Sequence, residues 1–362
     1  MRRRLRSHAL SLAAAGVVAS IALAGGWSGG GASASVVNPG WVRDTTTSLD
    51  IFAPDEATDY YFDGYGTMAG ARTVISGRVP SARYWSFTIY SSEHHLHDTQ
   101  IRTTHGRYTI TIAQSCTGRV GNCLATDTPT SGIVLMRLYV PVDLHGAGTG
   151  GVPLPSIAYR DRAGAPITLD QATGSDAIGN LLTASQAKEG TLPPLLTATY
   201  PLATSVASPS PHEPVVTLGG QGAYANPDNK YQKASFSLDN GDLVVKAEAP
   251  TYQTDGFHHA NSLERTASQD PQTRYWSVCV QYPDRYTGHC LRDEQVKIGS
   301  HDRFTIVIAP TCPVAGYANC IPSGPVALAK GILYRNMLPS KKFAQNLFTG
   351  PYSLTATYIP RP

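Results

Sequence analysis

Apolar and polar positions alternate with a period of two in several short windows of this chain, and helical spacing is rare. In Tyr84-Trp85-Ser86-Phe87-Thr88-Ile89 the residues Trp85, Phe87 and Ile89 share one face. Tyr84, Ser86 and Thr88 share the other, as on a half-buried strand. Tyr108 to Ile112 and Phe304 to Ile308 are short runs rich in β-branched residues and read the same way. Thr73-Val74-Ile75 ahead of Pro80 and Leu243-Val244-Val245 ahead of Pro250 predict earlier strands. Ile133 to Val140 and Ile332 to Leu338 predict later ones, each closed by a proline that cannot donate to a ladder. Helical spacing is confined to two places. Ser175 is placed to cap a turn carrying Ile178, Leu181 and Leu182, and Ser340 to cap one carrying Phe343 and Leu347.

These windows come twice. Arg83-Tyr84-Trp85-Ser86 recurs as Arg274-Tyr275-Trp276-Ser277, and Asp98-Thr99-Gln100-Ile101 as Asp293-Glu294-Gln295-Val296. Arg107 to Ala113 recurs as Arg303 to Ala309, and the cysteine with the later Asn122-Cys123 recurs as Cys312 with Asn319-Cys320. Met136-Arg137 with Pro141 matches Tyr334-Arg335 with Pro339. Asn180-Leu181-Leu182-Thr183 parallels Asn346-Leu347-Phe348-Thr349, and Leu-Thr-Ala-Thr-Tyr stands at both 196–200 and 354–358. Such an ordered set marks an internal duplication. The predicted fold is mostly β, with two related β-sandwich or jelly-roll-like lobes and one short helix in each. A single sandwich assembled from both halves is the alternative. The predicted boundaries are a signal peptide over 1–34, an N-terminal extension over 35–58 and lobe 1 over 59–200. A Pro-, Ala- and Ser-rich linker over 201–216 then leads into lobe 2 over 217–362.

The N-terminus reads as an export signal. Arg2, Arg3, Arg4 and Arg6 precede an apolar stretch from Ala9 to Ala24, and Ala32-Ser33-Ala34 supplies small residues for cleavage after Ala34. That stretch is too short and too rich in Ala and Gly to be read as a membrane span. Of 29 basic and 26 acidic residues, those four arginines lie in the signal, leaving 25 basic against 26 acidic, a formal charge of −1. A near-neutral chain without a basic run gives no electrostatic reason to expect nucleic acid or anionic lipid, and the mature chain is expected to have no membrane span. Tyr outnumbers Phe 19 to 8, which favours aromatic surfaces with a polar edge over purely apolar ones.

Six cysteines in an exported chain predict disulfides. Proximity and the repeat pair Cys116 with Cys123, Cys312 with Cys320, and Cys279 with Cys290 across a hairpin that turns at Pro283-Asp284.

Candidate chemistry is sparse. Glu93, His95 and His97 point to one side of an extended segment, and a His-x-His pair backed by a carboxylate can ligate a divalent metal, the one cofactor considered. The same cluster also reads as a solvated hairpin tip. His258 and His259 lie in an insertion between Pro250 and Arg274 that the first half lacks, and long loops on rigid sheets carry function. Tyr84 and Tyr275, on the face opposite the tryptophans and beside Arg83 and Arg274, are the candidate ligand-binding set if that face is exposed. The same face could instead pack against a second sheet or the other lobe. Arg137 and Arg335 stand in otherwise apolar strands and need buried acceptors, for which Asp98 and Asp293 are the candidates. No Gly-x-Ser-x-Gly elbow is present.

Arg274-Tyr-Trp-Ser277, Arg335-Asn-Met-Leu-Pro339 and Gly150-Gly-Val-Pro-Leu-Pro155 together resemble a group of exported, β-rich actinobacterial proteins. The resemblance implies export and β architecture and carries over no functional residue. The reading that follows is a secreted or cell-envelope protein, non-enzymatic, binding envelope glycan or another secreted protein at the junction of its lobes. The alternative is a secreted hydrolase or metal-dependent enzyme using His95 and His97 or the 251–273 loop.

Overall fold

The computed structural model describes residues 40–46, 52, 54–90, 94–175, 214–218, 226–253, 263–265, 270–282, 287–324, 331–347 and 349–361. Lobe 1 holds strands β1 (Val42–Asp44), β2 (Thr58–Gly66), β3 (Arg72–Arg78), β4 (Ala82–Ile89) and β5 (His95–His97). It continues with β6 (Arg107–Ala113), β7 (Asn122–Ala125), β8 (Ser131–Pro141), β9 (Ser156–Arg160) and β10 (Pro166–Ile167). Lobe 2 holds β11 (Val215–Leu218), β12 (Asn229–Ser235), β13 (Asp242–Glu248), β14 (Tyr252–Gln253), β15 (Glu264–Arg265) and β16 (Tyr275–Gln281). Then come β17 (Thr287–Arg292), β18 (Arg303–Ala309), β19 (Cys320–Pro322), β20 (Gly331–Met337) and β21 (Thr355–Ile359).

The two lobes are built alike. One sheet runs β1-β2-β8-β4-β5 in lobe 1 and β11-β12-β20-β16-β17 in lobe 2. The second sheet runs β10-β9-β3-β6-β7 and β21-β13-β18-β19, while β14 and β15 pair separately. Equivalent positions share their packing. Trp85 lies 5.0 Å from Tyr108, and Trp276 lies 5.3 Å from Phe304, its counterpart on β18. The Asn122 amide group ties Arg102 and Thr109, as Asn319 ties Lys297 and Thr305. Even the irregularities coincide. Val140 and Leu338, each ahead of a proline, take φ of 48° and 45° where non-glycine residues rarely go. Each donates its N–H to the turn before its lobe's first long strand, at the carbonyls of Ala57 and Asp228.

Each sandwich has its own apolar interior. Trp85, Phe87, Ile110 and Met136 fill lobe 1, and Trp276, Val278, Ile306 and Tyr334 fill lobe 2. The opposite faces of β4, β8, β16 and β20 are covered as well. Tyr84, Tyr139, Tyr275 and Met337 form one buried cluster drawn from both lobes. All nine residues of β2 are buried for the same reason. The lobes therefore stack as four sheets, with a third core between the middle two.

Cys116–Cys123, Cys279–Cys290 and Cys312–Cys320 are the disulfides, as the repeat predicts, and Cys279 and Cys290 face each other on β16 and β17. Helix α2 (Lys341–Asn346) is capped by Ser340, with Phe343 and Leu347 buried. The other helix differs from expectation. Helix α1 spans Leu169–Thr173, held at its start by a reciprocal cap between Thr168 and Gln171 and stopped by Gly174 at φ 73°. It ends before Ser175 instead of starting there, and 176–200, with the Asn180 and 196–200 repeat blocks, lies outside the described residues. The place that β21 takes against β13 is filled in lobe 1 by β9 against β3. Of the expected linker, 201–213 lies outside the described residues, and Val215 and Val216 belong to β11. No helix among the described residues is long and apolar enough to cross a membrane.

Candidate functional site

The repeated motifs meet across the junction, each lobe supplying what the other needs. Arg83 of lobe 1 donates Nη1 to both carboxylate oxygens of Asp293 in lobe 2 at 2.9 Å and Nη2 to Glu294 at 2.9 Å. In return Arg274 of lobe 2 pairs with Asp98 of lobe 1. Tyr84 donates its hydroxyl to Asp228 at 2.7 Å, and Ser277 donates to Asp55. Two copies of one motif thus form a quasi-two-fold exchange.

This arrangement corrects several expectations. Arg83, Tyr84 and Tyr275 are buried, the tyrosines completely, and the Arg274 side chain is only 14% exposed, so they offer no open stacking face. A strand with two packed faces buries its polar face too, provided the facing sheet supplies partners. Burial accordingly pushes the Tyr84 and Tyr275 phenols well above their usual range. Asp98 and Asp293 do not serve Arg137 and Arg335. Arg137 instead donates to Thr88 at 2.9 Å and to Tyr90, with its guanidinium 5.2 Å from the Tyr60 ring. Arg335 has Asp55 3.7 Å away.

His95 and His97 project from β5 into the rim of the same junction, with ring centroids 6.4 Å apart. His95 Nε2 lies 3.1 Å from Asp228 Oδ1, and His97 Nδ1 lies 3.1 Å from the Thr99 hydroxyl. Burial would raise the Asp228 carboxyl, but hydrogen bonds with His95 and Tyr84 hold it below its ordinary value. Among the described residues the two histidines join no group of three His, Cys, Asp or Glu side chains with ligand atoms within 4.8 Å of one another. One group does meet that spacing, Asp55 with Cys279 and Cys290, but its sulfurs are already bonded to each other. Glu93, His258 and His259 lie outside the described residues. At the edges of the 251–273 insertion, Tyr252 and Leu263 are buried, with the Arg83 guanidinium 5.6 Å from the Tyr252 ring.

An open site lies at another end of the junction. A cleft of about 510 Å³ is lined by Arg43, Glu56, Asp59 and His145 from lobe 1 and by Arg292 and Gln295 from lobe 2, with Asp55 and Cys290 also in its wall. β1 brings Arg43 beside β2, where its Nε donates to Asp59 Oδ1 at 2.8 Å. Glu56 reaches into lobe 2, accepting from the Cys290 N–H at 2.7 Å and lying 2.8 Å from His289 Nδ1. His145 sits on a turn anchored by Asp143, which accepts from the N–H groups of Thr149 and Gly150. Burial pushes the Asp59 carboxyl up to about 6 against the opposing pull of Arg43. Asp59 Oδ2 and Arg292 Nε belong to lining residues but are themselves buried, with no hydrogen-bond partner among the described residues. One accepts, the other donates, and they come from different lobes. No local motif marks these residues. They are scattered from 43 to 295, and the nearest legible signal is the Gly-rich run beginning at Thr149.

No family model and no curated protein matches the chain. Among solved structures, an uncharacterized protein from Burkholderia cenocepacia is 14% identical with a TM-score of 0.49, over 80% of this chain and 75% of that one. A Vibrio parahaemolyticus protein is 11% identical with a TM-score of 0.44, over 85% and 90% of the two chains.

Proposed function

We propose that this chain is a secreted binding protein that takes a small polar ligand in the interlobe cleft and does not transform it. The N-terminal signal pattern supports export, and three disulfides suit an oxidising compartment. One observation carries the binding reading. The cleft draws polar side chains from both lobes, Arg43, Glu56, Asp59 and His145 from lobe 1 and Arg292 and Gln295 from lobe 2. A concave site on which charged and amide groups converge suits a small ligand bearing both donors and acceptors. Saccharides from the cell envelope belong to this class. With Tyr84 and Tyr275 buried, recognition falls to charged and amide groups instead of aromatic stacking.

The test is thermal unfolding against a panel of neutral sugars, sugar acids, amino acids and amines. Saturation at ~100 times Kd adds about 2.7 kcal/mol to stability, enough to raise the midpoint by degrees. At least one compound should raise it for the native chain and fail to do so for Arg292→Ala. A panel in which every compound leaves the native midpoint unchanged, or acts equally on Arg292→Ala, would overturn the reading.

A further inference from the structure

The repeat singles out one surface, the outer face of the second sheet in lobe 1. At one end of that face Arg72 stands directly opposite Arg160, and at the other Arg78 stands directly opposite Arg107. Arg78 and Arg107 are exposed, and Arg72 and Arg160 are half-buried. Among the described residues none of these four guanidinium groups has an ion pair or a hydrogen bond.

Like charges directly opposite one another on a ladder are destabilising. Lobe 2 avoids them at the same positions. Glu248, the counterpart of Arg78, stands opposite Arg303, and Asp242, the counterpart of Arg72, pairs with Arg361 at 2.8 Å. The five strands of the lobe 1 sheet hold four arginines and no acidic residue. The lobe 2 sheet balances Lys246 and Arg303 with Asp242 and Glu248. Asp161 and Asp127, just beyond β9 and β7, are matched in number by Arg162 and by Arg102, which is tied to Asn122 of β7. The positive surplus therefore stays on the sheet.

The two arginine pairs lie six residues apart along β3, about 20 Å. Between them Ser156, Ser76 and Thr109 stand side by side on three strands, with the Ser76 and Thr109 hydroxyls 3.3 Å apart. No aromatic ring projects from the outer positions of β3, β6 and β9.

We propose that this face binds an acidic polysaccharide, with the two arginine pairs taking its carboxylate or sulfate groups and the hydroxyl row meeting its sugar hydroxyls. The inference takes from the reading above only that the chain is exported, since none of these residues lines the cleft. Each guanidinium presents a planar fork that matches the two oxygens of a carboxylate. A flat face charged at both ends suits an extended polymer, because a small anion would reach only one pair. Single-stranded nucleic acid finds no ring on which to stack.

The experiment titrates fluorescently labelled polygalacturonate with the full chain at low salt, read by anisotropy, with labelled dextran as the uncharged counterpart. The native chain should bind the acidic polymer and not dextran. Arg78→Ser with Arg107→Ser removes two cations from this face and should weaken binding about tenfold, a difference worth ~1.4 kcal/mol. Lys246→Ser with Arg303→Ser removes two from the matching sheet of lobe 2, changes net charge equally, and should leave the affinity unchanged. Arg78→Glu copies the lobe 2 arrangement and should abolish binding while holding or raising the urea midpoint. No binding of polygalacturonate, equal weakening by the two double variants, or a lower midpoint for Arg78→Glu overturns the proposal. Tighter binding to anionic phospholipid vesicles or to duplex DNA than to polygalacturonate overturns it too and assigns the face to another polyanion. None of these outcomes bears on the cleft, which the thermal panel and Arg292→Ala test separately.

Discussion

Asp293→Asn isolates the buried half of the interlobe exchange. Asp293 is fully buried, takes two hydrogen bonds from Arg83 at 2.9 Å and also accepts the Trp276 N–H at 3.1 Å. The Arg83 side chain is 1% exposed, so the substitution strands a buried guanidinium. Removing one partner of a buried pair costs ~3–5 kcal/mol. Glu294 keeps one contact to Arg83, and asparagine retains one acceptor, so the lower end, about 3 kcal/mol, is expected. The repeat supplies an internal control. Asp98 occupies the equivalent place against Arg274, but these side chains are 18% and 14% exposed. Water can compensate there, and Asp98→Asn should cost about 1 kcal/mol. Urea unfolding at pH 7, followed by far-ultraviolet circular dichroism with linear extrapolation, measures both. Equal losses, or a loss below ~1 kcal/mol for Asp293→Asn, would refute the claim that this pair is sealed inside the molecule.

Other predictions follow from single sites. Asp63 points into lobe 1, with Gly64 N–H as donor to Oδ1 and no partner for Oδ2 among the described residues; burial pushes its carboxyl up to about 7. The folded chain then holds a proton that the unfolded chain releases near pH 4. This group's contribution is fully present below pH 4 and is lost as pH rises through 7. Asp63→Asn should exceed the native chain in urea stability by about 4 kcal/mol at pH 8 and match it near pH 4; a constant difference would refute this. Gly148→Ala forces both a left-handed alanine and a clash with Asp59, so a loss of about 2 kcal/mol is expected in the same assay. Ser340→Ala removes the α2 cap and should cost ~1 kcal/mol.

The strands carrying the tryptophans were legible because alternation and repetition agreed on them, and the cysteine pairs because equivalent loops follow equivalent strands. β2 was not. Its run Thr-Asp-Tyr-Tyr-Phe-Asp-Gly-Tyr-Gly lacks alternation because both of its faces are covered. Periodicity showed that Tyr84, Ser86 and Thr88 share a face but not what covers it, since hydroxyl-rich faces suit water and a partnering sheet equally well. Duplication singled out Asp98 and Asp293 but led to the wrong partners, Arg137 and Arg335, because only the packing of the lobes brings them to Arg274 and Arg83 across the junction. The cleft was invisible, because only the junction brings Arg43 and Asp59 near Arg292.

If the layer between the lobes is a true core, neither lobe can melt while the other stays folded. Differential scanning calorimetry of the full chain at pH 7 addresses this directly. A single transition is predicted, with calorimetric and van't Hoff enthalpies equal. Two resolved transitions, one from each lobe, would contradict it.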